Sequence, residues 1–222
     1  GFHEGEWWVQ DAAAALPVRL LNVSTDEPIL ELCAAPGGKT AQLVAAGYEV
    51  TAIDKSESRL KRLQTNLRRL GLNANCIAAD ILEWEPDEQF AGILLDAPCS
   101  STGTIRRHPD VLWAKHETEI AELADVQFKL ICRAAEFLKP GGTLVFANCS
   151  LLRAEGEDLL ARVISNFPAL EPDPIHTDEI PGTRDFINGQ GALRCLPSDL
   201  KIGEDASLNG IDGFFACRFL KA

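Results

Sequence analysis

Residues 29–40, ILELCAAPGGKT, join a short apolar run to a turn of small residues that ends in two glycines. A short apolar run bounded by turn residues is typical of a buried strand. Gly37 and Gly38 can adopt positive φ and let the backbone approach a ligand closely, and a following helix offers free N–H groups. In an open α/β sheet such a turn lies at the carboxyl ends of the strands, where ligands bind. The segment therefore predicts a strand, a ligand-binding turn and a helix.

The alternation of apolar runs and amphipathic stretches continues through residues 28–150, as in successive β-α units of a parallel sheet. Predicted strands cover residues 29–34, 49–53, 75–79, 92–96 and 143–148. Predicted helices cover residues 40–46, 56–70, 117–138 and 154–166, with Ser56 as N-cap and with Gly71 and residues 140–142 (PGG) as stops. We therefore expect a doubly wound α/β fold.

The C-terminal third has weaker patterns. Residues 171–191 are rich in Pro, Asp and Gly and are predicted to form a long loop. Residues 193–196 and 213–220 are predicted to be two closing strands, with Asn209-Gly210 and Asp212-Gly213 as turn residues between them.

Length and composition favour one domain. The chain has 222 residues, 46% of them apolar, and we expect a helical N-terminal segment, 1–27, that packs through Trp7, Trp8 and the apolar face of residues 12–21 on a catalytic domain, 28–222. No apolar run approaches the roughly 18 residues of a membrane helix, and no signal layout is present. Because the sequence contains no Met, even at position 1, we expect it to be a fragment of a longer protein.

The seven cysteines form an odd set without a C-x-x-C pair or a nearby His cluster. This pattern argues against a zinc site and against a disulfide scaffold, so we expect no metal and a cytoplasmic location. The net charge of −12 taken alone argues against a polyanionic partner. Positive charge is nevertheless clustered at residues 59–62, 68–69 and 106–108. The first two clusters are interpreted as solvated faces of one helix, and a basic strip on an acidic body stays open as the alternative.

Three ligand classes compete for the glycine turn. The dinucleotide pattern G-x-G-x-x-G is absent, and a P-loop fails because Cys33 stands where its first glycine must be, although residues 38–40 (GKT) match its end. Asp54, Asp80 and Asp96 each lie at the end of a predicted strand. Three carboxylates there would crowd a triphosphate but suit a nucleoside with a sulfonium cation. An ATP-using P-loop protein stays open as the weaker alternative.

Two cysteines leave neighbouring predicted strands beside this turn, Cys99 after the fourth and Cys149 after the fifth. A thiolate that adds to carbon 6 of cytosine makes carbon 5 nucleophilic enough to attack a sulfonium methyl group. Lys39 is the nearest candidate to activate the thiol, and Asp96 could hydrogen-bond the amino group and ring nitrogen 3 of the base. The other thiol, Cys99, could act as the base that allows release.

Four motifs in this order resemble the Sun/Fmu-type family of RNA cytosine carbon-5 methyltransferases. They are residues 33–40 (CAAPGGKT), 96–100 (DAPCS), 106–110 (RRHPD) and 148–150 (NCS), and residues 5–11 (GEWWVQD) and 212–215 (DGFF) extend the likeness over nearly the whole chain. The resemblance implies a Rossmann-like class I methyltransferase fold, a mostly parallel sheet closed by a C-terminal antiparallel strand. It also implies S-adenosylmethionine as cofactor and RNA, in particular small-subunit ribosomal RNA, as partner.

The resemblance assigns roles to residues. Cys149 attacks the base and Cys99 assists release, with Asp96 and Lys39 completing the catalytic set. The expected cofactor-binding residues are Cys33, Ala34, Ala35, Pro36, Gly37, Gly38, Lys39, Asp54, Asp80 and Asp96. Arg106, Arg107 and His108 are expected to hold RNA phosphates beside a flipped target base. Asn148 is a departure, since the family usually has Thr before the nucleophile.

Two further alternatives stay open. DNA cytosine methyltransferases use a Pro-Cys nucleophile, which would make Cys99 the attacking group and reverse the two roles. A methyltransferase-like domain that only binds RNA would show association without methyl transfer. Full-length members of the resembled family have an additional N-terminal RNA-binding domain, and its absence would explain the acidic charge of this chain. We expect a monomer.

Overall fold

A mostly parallel sheet forms the centre of the protein. The computed structural model describes residues 1–113, 116–204 and 209–222. The parallel strands are β1 (Ile29–Leu32), β2 (Val50–Asp54), β3 (Asn75–Ala78), β4 (Phe90–Asp96) and β5 (Leu138–Asn148). The C-terminal strand β8 (Phe214–Lys221) pairs antiparallel with β5, with β6 (Leu170–Pro172) and with β7 (Leu193–Cys195). The order is β3-β2-β1-β4-β5-β8-β6, and β7 also pairs with β8, which confirms the expected sheet with its antiparallel C-terminal strand.

Helices cover both faces of this sheet. They are α1 (Ala12–Ala15), α2 (Gly38–Ala45), α3 (Glu57–Arg69), α4 (Glu117–Phe137) and α5 (Glu157–Asn166). One apolar cluster joins α1, α2 and α3 to the sheet, and a second joins α4 and α5 to its other face. Both faces of the central strands are therefore buried, as expected for a doubly wound fold.

Helix α3 illustrates how sequence spacing determines a helix and its packing. Leu60, Leu63 and Leu67 recur at three and four residues and are buried against the sheet. The Ser56 hydroxyl accepts a hydrogen bond from the Arg59 amide at 3.4 Å, which confirms Ser56 as N-cap. Gly71 follows the helix with φ +67°, a conformation that favours glycine at a helix end.

Three sequence-based expectations about local structure were wrong. Residues 140–142 do not precede the fifth strand but lie within β5, where Gly141 has φ +74° and the pairing with β4 shifts register between Phe90 and Gly92. Residues 12–21 do not form one helix. The one-turn helix α1 gives way to a 3-10 helix at Pro17–Leu20, because a proline lacks the N–H that would continue the α-helical hydrogen bonds. The expected loop 171–191 includes the end of β6 and a 3-10 helix at Arg184–Phe186.

The sheet order determines where the functional loops meet. Strands β1, β2, β4 and β5 run parallel and adjacent, with Leu32 beside both Ile53 and Leu95, and Asp96 beside Ala147. The loops that follow these strands therefore leave from one edge of the sheet.

Candidate active site

The turn after β1 requires unusual backbone conformations. Cys33 has φ +60°, and Gly37, the N-cap of α2, has φ +100°. A Cβ atom added to Gly37 would lie 2.7 Å from Cγ of Leu63, so the turn can press against α3 only with glycine at this position. This close packing fixes the turn 34–37 over the end of the sheet.

Asp54, the last residue of β2, orders the same turn from the side. Its two carboxylate oxygens accept hydrogen bonds from the amides of Ala35 at 3.1 Å and Ser56 at 2.9 Å. The side chain is 3% exposed and lies 3.7 Å from a guanidinium nitrogen of Arg59, which donates a hydrogen bond to the carbonyl of Ala35. Asp54 is therefore a positioning group for the turn as well as a carboxylate at the site.

Asp80 follows β3 and is more exposed. It accepts a hydrogen bond from Lys55 Nζ at 2.7 Å and another from the amide of Leu82 at 3.1 Å. The hydrogen bond from Lys55, followed by that from Leu82, lowers the pKa of this carboxyl below its ordinary value. Asp80 therefore presents negative charge at neutral pH.

The three strand-end aspartates line one cavity of about 680 Å³, called here the carboxylate cavity. Its lining also includes residues of the β1 turn and both candidate catalytic cysteines: Cys33, Ala35, Pro36, Cys99 and Cys149. A volume of this size lies within the range of small-molecule sites. Carboxylates around a partly apolar cavity fit a nucleoside with a sulfonium cation, so the residues present suit S-adenosylmethionine.

A second cavity of about 590 Å³, called the arginine cavity, adjoins the first. It is lined by Arg106 and Arg107 on one side, and Pro36, Asp96 and Cys149 line both cavities. By contrast, Cys99 lines the carboxylate cavity alone. Cys149 is therefore the cysteine that a molecule in either cavity can approach.

Lys39 and Asp96 form an ion pair at this junction. Lys39 Nζ lies 2.7 Å from Oδ2 of Asp96 and 5.3 Å from the ring centroid of Phe214. The lysine side chain is 9% exposed, whereas the aspartate side chain is 34% exposed. Lys39 therefore holds the Asp96 carboxylate in place while leaving it accessible from the cavities.

The two cysteine sulfurs lie 3.5 Å apart, within hydrogen-bonding distance for sulfur. A hydrogen bond from Cys99 lowers the pKa of Cys149 below its ordinary value, against the effect of burial, and the positive charge of Lys39 contributes in the same direction. The same hydrogen bond, together with burial, raises the pKa of Cys99 well above its ordinary value. Cys149 is therefore the thiol that ionises first.

Glu155, which the sequence analysis missed, connects the loops of both cysteines. This buried carboxylate accepts hydrogen bonds from the Ser100 amide at 2.9 Å, the Ser150 hydroxyl at 2.6 Å and the Gln127 side chain at 2.9 Å. Ser100 and Ser150 directly follow Cys99 and Cys149. A glutamate six residues after a cysteine has no motif of its own, so only the folded contacts reveal its role.

Asn148, where the resembled family usually has Thr, holds the Cys149 loop through hydrogen bonds of its side chain. Its Nδ2 donates to the carbonyl of Glu155 at 2.7 Å, and its Oδ1 accepts from the amide of Ser150 at 3.0 Å. The side chain is fully buried. Asn148 therefore connects the backbones of Ser150 and Glu155 through its side chain, which requires one hydrogen-bond donor and one acceptor.

The three expected RNA-binding residues do not share one environment. Arg107 makes a bidentate hydrogen-bonded pair with the buried Asp212, and Arg106 lies 3.2 Å from Asp11 and 3.5 Å from Asp212. Both arginines line the arginine cavity and are exposed in part, whereas His108 is exposed and lines neither cavity. The carboxylates therefore orient the two arginines but neutralise part of their charge.

Comparison with known proteins identifies the family. A model of the family described as 16S rRNA methyltransferase RsmB/F matches residues 18–219. The chain belongs to this family. It is 45% identical over 191 residues to the ribosomal RNA small subunit methyltransferase B of Klebsiella pneumoniae strain 342, an alignment that covers 84% of this chain and 44% of that protein. The chain thus spans less than half the length of the curated relatives it matches, and the resemblance found in the sequence is confirmed.

Solved structures agree with this family. NSun6 from Pyrococcus horikoshii, solved with SFG, an analogue of S-adenosylmethionine, superimposes with a TM-score of 0.81 at 27% identity, covering 99% of this chain and 54% of that one. A methyltransferase homolog protein from the same organism gives a TM-score of 0.78 at 29% identity, covering 100% of this chain and 70% of that one. The Rossmann-like fold is confirmed, and S-adenosylmethionine is confirmed as the cofactor at the level of the family.

Two structural features are absent from the described residues. None of the helices there has the length and apolar character needed to cross a membrane. Nor do those residues bring together three or more His, Cys, Asp or Glu side chains in a way that could hold a metal ion.

Proposed function

We propose that this chain is the catalytic part of an RNA methyltransferase that transfers a methyl group from S-adenosylmethionine to carbon 5 of a cytosine, with small-subunit ribosomal RNA as the substrate class. The observation that supports this function best is the junction of two cavities at Cys149 and Asp96. One cavity has the carboxylates that suit the methyl donor, and the other has arginines that suit a nucleotide. The cytoplasmic location stays a prediction.

In the proposed reaction the β1 turn and the carboxylate cavity would hold the donor, and Asp54 would accept hydrogen bonds from its ribose hydroxyls. When bound there, S-adenosylmethionine supplies an electrophilic methyl group. The target base enters the arginine cavity, where Asp96, fixed by Lys39, accepts a hydrogen bond from the base amino group. Cys149 then attacks carbon 6 as a thiolate, and carbon 5 becomes the nucleophile that takes the methyl group.

Release requires that the carbon 5 proton leaves and that the bond from Cys149 sulfur to carbon 6 breaks. Cys99 lies beside that sulfur and can donate a hydrogen bond to it as it departs. Cys99 first gives its thiol proton to solvent in the cavity, and its thiolate, the stronger base of the two because of its raised pKa, then accepts the carbon 5 proton. The electron pair of that C–H bond forms the carbon 5–carbon 6 double bond, and the bond from carbon 6 to sulfur breaks. Cys149 leaves as a thiolate, and the Cys99 thiol, protonated again, donates the hydrogen bond to it.

Arg106 and Arg107 are the proposed phosphate contacts beside the flipped nucleotide, because they stand at the cavity that Cys149 lines. Their existing pairs with Asp11 and Asp212 hold the guanidinium groups in position. His108 is exposed next to them and is proposed to contact the RNA backbone outside the cavity.

Calorimetric titration with S-adenosylhomocysteine, and separately with ATP plus magnesium, tests the donor site without RNA. We expect binding of S-adenosylhomocysteine alone, and a loss of roughly ten-fold or more in affinity in Asp54→Ala, because the variant lacks the carboxylate that orders the turn and faces the ribose. Asp54→Asn, which keeps one acceptor oxygen, should retain more affinity. Binding of ATP alone would contradict the methyltransferase and return attention to Lys39 and Thr40 as parts of a P-loop.

A further inference from the structure

A groove adjoins the arginine cavity through shared lining residues. The arginine cavity shares Val9, Pro36 and Gly38 with a smaller cavity of about 210 Å³, called here the aromatic cavity. The lining of the aromatic cavity continues through Phe2, Trp8, Asn66 and Arg69. Asn66 also lines a shallow depression of about 340 Å³ with Lys61, Arg62 and Thr65, so the groove extends from the active site along α3.

Aromatic and apolar side chains are exposed along the N-terminal wall of this groove. Val9, 80% exposed, and Phe2, 38% exposed, line the aromatic cavity. Trp7, 49% exposed, lies outside that lining but next to it, with its ring 5.1 Å from the ring of Phe2. The guanidinium of Arg69 lies 4.0 Å over the Phe2 ring and donates a hydrogen bond to the carbonyl of Trp7 at 3.1 Å. These contacts fix the segment to α3, and the guanidinium of Arg69 covers one face of the Phe2 ring. Trp7 is therefore the more accessible of the two rings.

A polar and basic stripe of α3 also lines the groove. Lys61, Arg62, Thr65, Asn66 and Arg69 recur at one-, three- and four-residue intervals, which places them along one side of the helix. Lys61 and Arg62 are exposed. The sequence of α3 contains five basic residues and a single acidic one, Glu57, which lies 3.9 Å from Lys61. This concentration of positive charge stands out on a chain whose net charge is −12.

We propose that this groove binds the unpaired RNA strand next to the target nucleotide, with bases stacked on the Trp7 and Phe2 rings and phosphates held by Lys61 and Arg62. The inference rests on the proposed function, which places the target base in the adjoining arginine cavity. Aromatic platforms beside a basic track are the chemistry that proteins use for single strands. Helix α3 has five basic residues and one acidic residue, so an apolar protein segment would leave most of this positive charge unmatched, whereas RNA phosphates would match it.

The test compares the whole chain with two variants and a matched control. Binding of a short unpaired pyrimidine oligoribonucleotide is followed by fluorescence anisotropy at several salt concentrations. Lys61→Gln/Arg62→Gln removes two phosphate contacts, so we expect affinity to fall roughly ten-fold and the salt slope to fall by about 1.4. Trp7→Ala removes one stacking platform and should lower affinity roughly 5- to 150-fold, whereas Trp7→Phe should retain most of it.

The control is Lys129→Gln/Arg184→Gln, which changes the net charge equally at two exposed residues outside every cavity described above. We expect RNA affinity close to that of the unaltered chain in this control, and unchanged S-adenosylhomocysteine binding in all variants. An equal loss of RNA affinity in the control and in the α3 variant would overturn the proposal that the groove binds RNA. So would unchanged RNA affinity in both the α3 and the Trp7 variants. Either result would leave the proposed function intact. A chain that binds S-adenosylhomocysteine but no RNA would overturn both.

Discussion

The sulfur atoms of Cys99 and Cys149 lie 3.5 Å apart although 50 positions separate the residues in the chain. Parallel pairing of β4 with β5 brings them together, since Asp96 lies beside Ala147 at the end of the sheet. At this distance one thiol donates a hydrogen bond to the other, which makes the two residues chemically different. Their roles are therefore separable by substitution.

Cys149→Ala should abolish methyl transfer, because among the residues that the structure describes no other thiol lines both cavities. In Cys99→Ala, Cys149 should still attack the base, but the bond between Cys149 and the RNA should no longer break. A covalent adduct of RNA and protein should therefore accumulate with S-adenosylmethionine present. A denaturing gel of labelled RNA detects the adduct as a slowly migrating band. The opposite pattern, an adduct in Cys149→Ala and an inactive, adduct-free Cys99→Ala, would assign the nucleophile to Cys99.

The pH dependence of thiol alkylation should also distinguish them. The hydrogen bond from Cys99 lowers the pKa of Cys149, so its iodoacetamide reaction should reach half of its maximal rate below the ordinary thiol value of 9.0. In Cys99→Ala the midpoint of Cys149 alkylation should move to higher pH. The variant lacks the hydrogen-bond donor that lowers the pKa of Cys149, whereas the burial that raises this pKa remains. Peptide mass spectrometry measures each site separately.

Cys132 on α4 provides the internal reference for this measurement. Burial raises the pKa of its thiol, and Cys99 is not among the groups that shift it. Its alkylation profile should be identical in both proteins. A Cys149 midpoint that stays in place after Cys99→Ala would show that the hydrogen bond does not activate the nucleophile.

Much of the sheet was predictable because its strands are short apolar runs between strong turn residues, and Ser56 and Gly71 marked the limits of α3. The short strand β6 was not, since Leu170–Pro172 has little periodicity and becomes a strand only by pairing with β8. Residues 140–142 correctly predicted the end of helix α4, which finishes at Phe137, but they placed the start of β5 too late, since β5 begins at Leu138. A Pro-Gly-Gly run signals a stop locally, but the neighbouring strand β4 accommodates it as a bulge.

At the candidate site, strand-end position predicted which side chains would share a cavity, and Asp54, Asp80 and Asp96 all line one. Strand-end position could not predict which side chains form ion pairs or hydrogen bonds with the residues of the site. The ion pair of Lys39 with Asp96 and the contacts of Glu155 join residues far apart in sequence, and no local pattern specifies such pairs. The contribution of Arg106 and Arg107 likewise depends on Asp11 and Asp212, which only the fold brings to them.

Glu155→Gln should weaken the hydrogen bonds through which Glu155 connects the loops of Cys99 and Cys149. The amide would place a donor where the carboxylate accepts hydrogen bonds from Ser100, Ser150 and Gln127, so one or more buried donors would lose a partner. We expect the free energy of unfolding in urea to fall by about 2–4 kcal/mol. We also expect slower alkylation of Cys149 at temperatures where the variant is fully folded.

The exposed Glu122 on α4 offers the matched substitution Glu122→Gln, which should leave stability and alkylation unchanged. A loss of stability without any change in Cys149 reactivity would limit Glu155 to a structural role. A change in reactivity in the folded variant would identify it as a positioning residue for the nucleophile.

Glu31, in the middle of β1, should make the protein less stable as pH rises. Its side chain is almost fully buried, its Oε2 has no hydrogen-bond partner among the described residues, and burial raises its pKa to about 8 from an ordinary 4.5. Below pH 4.5 the group is protonated in both states. Between pH 4.5 and 8 only the unfolded chain releases the proton, so stability falls across that window, by roughly 3 kcal/mol between pH 5 and 8.

Glu31→Gln removes the titrating carboxyl group, so the variant should not lose this part of its stability as pH rises. The unfolding free energy of the variant, relative to that of the unaltered chain, should therefore increase from pH 5 to pH 8. Urea unfolding at the two pH values measures this difference, from which all other titrating groups cancel. Glu49→Gln, an exposed glutamate just before β2, is the control and should show no such growth. A difference that stays constant with pH would mean that Glu31 is ionised in the folded protein, with its charge balanced by Lys39, which lies close enough to lower its pKa.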